Sequence, residues 1–266
     1  MSFFNEKVVW ITGASSGIGE ALVYAFSKRG ARLILSARRK EELERVKQNC
    51  ASTSESVMVL PLDVSDGGQI SSAAKEVLNR FGEVDVLINN AGLSHWTKVN
   101  DLSLDVIRKI MDVNFFGGVA LTKEVLPGML SRKQGTVVVI SSVLGKMPVR
   151  KQAAYVASKH AIQGFYDTLR LEVSPEGLNV LLVCPGFVRT NVARNSLNKE
   201  GTAINQSNPK IEHGLHPSYV AEKIIEGIEK RKQEIIIAGT PEKTAVLMKR
   251  LFPRAFTSFM QRRKLL

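Results

Sequence analysis

The chain has 266 residues, 44% hydrophobic and 23% charged, proportions that exclude disordered and fibrous classes and suffice for one well-filled core. Two cysteines, Cys50 and Cys184, are too few for a disulfide framework and fit a reducing, cytoplasmic setting. The formal charge of +12 is concentrated in residues 243–266, where Lys243, Lys249, Arg250, Arg254, Arg262, Arg263 and Lys264 meet no acid, so a nucleic-acid reading would rest on that tail alone.

Residues 1–12 pass from a short polar start into a strand-like run without a basic leader region or a cleavage site, and no apolar stretch is long enough to span a bilayer. Neither a leader peptide nor a membrane helix is expected. Val8 to Thr12, Arg32 to Ala37, Val57 to Leu62, Val84 to Asn89, Thr136 to Ser141, Asn179 to Cys184 and Ile235 to Ala238 are short runs rich in Val, Ile and Leu, bounded by turn residues, and read as strands. Helical spacing occupies residues 18–29, 40–50, 67–81, 104–131, 154–173 and 217–231. This alternation specifies an α/β fold of the Rossmann type, a doubly wound, seven-stranded parallel sheet with helices on both faces. Residues 189–216 show no period and are read as a functional lid inside one domain spanning residues 1–242, with 243–266 a separate basic amphipathic segment.

The first strand runs into Thr12-Gly13-Ala14-Ser15-Ser16-Gly17-Ile18-Gly19 and then a helix. Gly13 allows the tight turn, Gly17 a close backbone approach to a pyrophosphate, and Gly19 close helix–strand packing, while the helix start offers free N–H groups and partial positive charge. Gly13, Ser15, Ser16, Gly17, Ile18 and Gly19 are therefore candidate dinucleotide contacts. The second strand ends in Arg38-Arg39, where an NAD site would place an acid on the ribose 2′-hydroxyl; two guanidiniums suit a 2′-phosphate and point to NADP(H). Asp63-Val64 and Asn89-Asn90-Ala91-Gly92 close the third and fourth strands at the same carboxyl edge, where Asp63 either accepts from an adenine amino group or simply forms a turn. The decisive stretch is Ser142 followed by Tyr155 and Lys159, whose spacing of four puts phenol and amine on one helical face. A nearby ammonium predicts a lowered phenol pKa and hence a useful acid–base group, and Ser142 can donate to a developing oxyanion.

Together these motifs resemble the short-chain dehydrogenase/reductase family over residues 5 to about 240, most closely its single-domain NADP-using reductases of steroids, retinoids and long-chain lipids, many of which are membrane-associated. The resemblance implies a catalytic tetrad of Asn114, Ser142, Tyr155 and Lys159, with Asn114 holding a water that links Lys159 to solvent and Lys159 bonding the nicotinamide ribose. It implies further that Pro185, Gly186, Val188 and Thr190 cradle the nicotinamide, that no metal takes part, and that the protein assembles as a homodimer or homotetramer. Hydride exchange with the carbonyl or alcohol carbon of an apolar small molecule is the expected chemistry, since Val143, Leu144, Met147, Val149, Phe187 and Val192 flank the expected pocket. A noncatalytic NADP-binding sensor or scaffold is the alternative.

His95 and Trp96 follow the Asn-Asn-Ala-Gly turn and either border the pocket or belong to a surface loop. In the tail, Met248, Phe252, Phe256 and Met260 recur at helical spacing among basic residues, with Pro253 kinking or splitting any helix. The segment is expected either to pack over the cleft or a neighbouring subunit, or to make peripheral membrane contact.

Overall fold

A computed structural model describes residues 2–51, 56–206 and 209–262. Arg263 and Lys264 of the basic tail and Ser207 and Asn208 of the 189–216 segment lie outside the described residues. Seven strands form one parallel sheet in the order β3-β2-β1-β4-β5-β6-β7: β1 Val8–Thr12, β2 Arg32–Ala37, β3 Val57–Pro61, β4 Val86–Asn89, β5 Thr136–Ile140, β6 Asn179–Pro185 and β7 Glu234–Ile237. The order reverses between β1 and β4, so the turns leaving these two strands open a crevice at their carboxyl ends, the position where open α/β sheets take ligands.

All five residues of β1 and all seven of β6 are buried, because helices cover both faces. Alternation along β1 sends Val9 and Ile11 to one layer, against α1 (Gly17–Ser27) and α8 (Pro217–Glu229). It sends Val8 and Trp10 to the other, against α3 (Gly67–Phe81), α5 (Gly117–Arg132) and α6 (Ala153–Val173). Each fully buried side chain such as Trp10 or Phe26 contributes roughly 1.5–3 kcal/mol. Local signals fix the boundaries where they are strong: α3 starts at Asp66, which accepts from Gln69 N–H, and stops at left-handed Gly82. The remaining early helix, α2, spans Lys40–Gln48.

One element departs from the sequence reading. The single helix expected over 104–131 is α4 (Leu104–Met111), a π-helical turn at Asp112–Phe116, and α5. Its apolar pattern continues across the break, so periodicity alone does not reveal it. In the tail, α9 (Thr240–Leu251) and α10 (Pro253–Arg262) are separate helices, as a ring lacking an N–H demands. The described residues of the 189–216 segment are irregular apart from a four-residue helix α7 (Pro209–Glu212) and isolated bridges from Val188 to Leu215 and from Leu197 to His95 and Ala203. Among the described residues no helix is long and apolar enough to cross a membrane.

Candidate active site

The turn after β1 is built around its glycines. Gly13 and Gly17 adopt φ of 64° and 60°, left-handed values that a side chain would strain. A Cβ on Gly19 would collide with the Gly13 carbonyl and stand 2.7 Å from Asn90 Nδ2. Asn90 braces the turn, with its amide donating to the carbonyls of Thr12 (2.9 Å) and Gly13 (3.2 Å). Thr12 Oγ1 accepts from the N–H groups of Asn90 and Ala91, joining the β1 and β4 turns across the crevice. Ser16, the residue preceding α1, makes no side-chain cap, so the helix start is left for an external acceptor. It faces a cleft of about 820 Å³ lined by Ser15, Ser16, Gly17, Arg39 and Thr190 among others, while Ile18 turns partly into the core. Bare backbone, uncapped N–H groups and flanking cations fit the pyrophosphate of a dinucleotide.

Arg38 and Arg39 are exposed at the end of β2, Arg39 on the cleft wall. Asp63 uses Oδ1 to accept from both the hydroxyl and the N–H of Ser65, the turn-forming role. Burial raises its pKa, but the Ser65 bonds, Arg38 and Lys109 outweigh that and hold the carboxyl below its usual range. Val64 is buried against Gly117 of α5. Val188 and Thr190 lie where the chain leaves β6, pinned by the Val188–Leu215 bridge; Thr190 packs against Gly17, and Gly186 N–H donates to Ile237 O. Pro185 ends β6 with its carbonyl 3.5 Å from Ser142 Oγ.

Asn114, Ser142, Tyr155 and Lys159 converge beside this crevice. Gly92 seats the β4 turn against them, since a Cβ there would lie 3.4 Å from Asn114 Oδ1 and 3.7 Å from Lys159 Nζ. Ser142 Oγ accepts from Leu144 N–H (3.1 Å), donates to Pro185 O (3.5 Å) and acts on the Tyr155 hydroxyl. Lys159 Nζ lies 5.6 Å from the centre of the Tyr155 ring and donates to Ile140 O at 2.8 Å. The expected lowering of the tyrosine pKa is not found. Burial pushes the phenol up to about 12, Ser142 opposing and Cys184 adding to the rise; burial pulls Lys159 down to about 8, with Cys184 opposing. Burial disfavours the charged form of each group, which raises the phenol and lowers the amine.

Asn114 sits in the π-helical turn, a distortion common at functional sites. Both of its amide protons are committed, to Leu93 O and Ser158 Oγ at 2.9 Å each, and Oδ1 accepts from Leu93 N–H at 2.7 Å. The side chain thus ties the β4 turn to α6. Ser158 passes the link to Tyr155 O at 2.8 Å.

Thr12, Leu93 and Ser158 are supports that sequence reading did not single out; only Ser158 carried a signal, lying between Tyr155 and Lys159. His95 is no surface residue. It is fully buried, and its Nε2 accepts from Ala154 N–H at 3.0 Å in the first turn of α6, one residue before Tyr155. Burial holds the imidazole pKa below its ordinary value, with a bond to the Gln152 backbone opposing, so the ring is a neutral acceptor. Of the expected pocket residues, Val143 and Met147 are buried with Phe256 of α10, Leu144 beside them, whereas Phe187 is 37% exposed.

A family model described as short chain dehydrogenase matches residues 7–201. The human dehydrogenase/reductase SDR family member 7 is 43% identical over 242 residues, covering 89% of this chain and 71% of that protein. Among solved structures, a short-chain dehydrogenase/reductase from Burkholderia phymatum in complex with NAD gives a TM-score of 0.83 at 26% identity, covering 100% of this chain and 99% of that one. An alcohol dehydrogenase from Thermococcus sibiricus, complexed with 5-hydroxy-NADP, gives 0.76 at 28% identity over 88% and 96% of the two chains.

Proposed function

Because the chain belongs to the short-chain dehydrogenase/reductase family, we propose that it is an NADP(H)-dependent reductase of an apolar carbonyl compound, with Tyr155 as the proton donor. The observation that carries this reading is the meeting of Ser142, Tyr155 and Lys159 beside the glycine turn at the carboxyl edge of the sheet. Solved proteins of like fold hold NAD or an NADP derivative; Arg38 and Arg39, with no acid at the end of β2, favour the phosphorylated cofactor.

The bound nicotinamide supplies or accepts the hydride. A phenol pushed up to about 12 is protonated at neutral pH, the form that can give a proton to a carbonyl oxygen. Ser142, whose hydroxyl is held only by a long 3.5 Å bond to Pro185 O, turns to donate to the same oxygen as charge gathers there. Lys159 stabilises the phenolate left behind, and Asn114 with Ser158 fixes α6 so that these groups stay in register. Val143, Leu144 and Met147 follow Ser142 in an apolar cluster closed by Phe256 of α10, an apolar surrounding that favours an apolar substrate. Two free thiols, Cys184 buried, suit a cytoplasmic setting, and assembly as a homodimer or homotetramer belongs to the same reading.

The test is turnover of a panel of apolar ketones and aldehydes with NADPH and NADH. Tyr155→Phe should lower kcat by about 10²–10⁴-fold while NADPH still binds. Arg38→Ala with Arg39→Ala should raise KM for NADPH and leave that for NADH unchanged. Full turnover in Tyr155→Phe, or wild-type preference for NADH, would refute the reading.

A further inference from the structure

We propose that the outward face of α9 and the α9–α10 corner docks on an anionic lipid surface. The inference goes beyond the reductase reading and does not depend on it. The helix pair is anchored to the domain: Phe256 is only 2% exposed, packed with Val143 and Met147, and Arg150 Nη2 donates to Gln261 O at 3.0 Å. This anchoring fixes which side faces outward.

On that side Lys243, Leu247, Arg250 and Leu251 follow one another at steps of four, three and one, a single helical stripe, and all are exposed. Leu247 is 56%, Leu251 57% and Phe252, at the corner, 63% exposed. Residues 243–262 carry five cations, Lys243, Lys249, Arg250, Arg254 and Arg262, and no acid. Among the described residues none of the five takes part in an ion pair. Leucine and phenylalanine projecting between unpaired cations is the chemistry of a helix lying in an anionic interface, where apolar groups enter the acyl boundary and the cations meet headgroups.

A second copy of the chain fits this face poorly. Its own stripe would bring like charges together, and three apolar side chains fall short of the roughly 800 Å² per partner that a stable dimer buries. Docking would bring the segment after Ser142, which α10 covers, to the lipid side of the molecule.

The purified 266-residue chain is sedimented with phosphatidylcholine vesicles, with and without about 30% phosphatidylserine, at low and high salt. Binding is expected only to the anionic vesicles and only at low salt. Lys243→Gln, Arg250→Gln and Arg254→Gln together should weaken it by about 100-fold, at roughly fivefold per cation. Leu247→Glu with Leu251→Glu should abolish it, both variants keeping the wild-type melting temperature. The lipid and salt arms stand on wild-type protein alone. No binding, equal binding to neutral vesicles, or binding indifferent to either variant overturns the proposal. So does a solution dimer that Leu247→Glu with Leu251→Glu dissociates, which would show that a second copy covers the face.

Discussion

Replacing Gly19 with alanine probes the proposed cofactor cradle at its tightest point. The added methyl carbon would stand 2.7 Å from Asn90 Nδ2 and 2.8 Å from the Gly13 carbonyl carbon, against an ordinary contact distance of about 3.5 Å or more, so the turn and α1 must part by about 1 Å. Movement on that scale breaks the Asn90 bonds to Thr12 O and Gly13 O. Overpacking costs about 1–3 kcal/mol and the two lost hydrogen bonds about 1 kcal/mol each, a total of roughly 3–5 kcal/mol. At roughly 2–4 °C per kcal/mol in a chain of this size, Tm should fall on the order of 10 °C. The displaced backbone is also the surface that would receive the pyrophosphate. Fluorescence titration with NADPH should therefore show Kd raised by about tenfold or more, the equivalent of about 1.4 kcal/mol. Gly67→Ala is the control, because a Cβ there meets nothing within 4 Å, and both quantities should stay near wild type. Wild-type Kd and Tm in Gly19→Ala would refute the cradle argument.

Lys159, drawn down to about 8 by burial, is an ammonium below that pH and a neutral amine above it. If it stabilises the phenolate, kcat/KM for carbonyl reduction should fall as pH rises through about 8, and a level profile across that range would count against the role. His95→Ala leaves the Ala154 N–H without its acceptor and should cost about 1–3 kcal/mol in urea unfolding, with His95→Gln recovering part of the loss. The folded imidazole resists protonation, so below the ordinary value of about 6.5 the unfolded chain binds more protons than the native one. Stability should accordingly decline as pH falls through that value, less steeply in His95→Gln; identical slopes would defeat the assignment. Phe256→Ala removes the anchor of the tail at a cost of about 3–5 kcal/mol. Trypsin should then cut at Lys243, Lys249 and Arg250 far faster than in wild type, and an unchanged digestion pattern would show that the tail is held by other contacts.

The sequence by itself determined the layered fold, because a strand buried on both faces reads as a near-continuous apolar run, as over most of Val8–Thr12 and Asn179–Pro185. It determined the glycine turn and the shared face of Tyr155 and Lys159 as well, since both depend on backbone preference and helical pitch within a few residues. Only the tertiary structure decided what those residues experience. The π-helical turn at Asn114, the burial of His95 under α6, the Asn90 brace and the raised phenol pKa all arise where segments far apart in the chain converge. Periodicity reports which side of an element faces inward, whereas desolvation and hydrogen-bond pairing depend on which distant groups arrive there, and no local pattern carries that information.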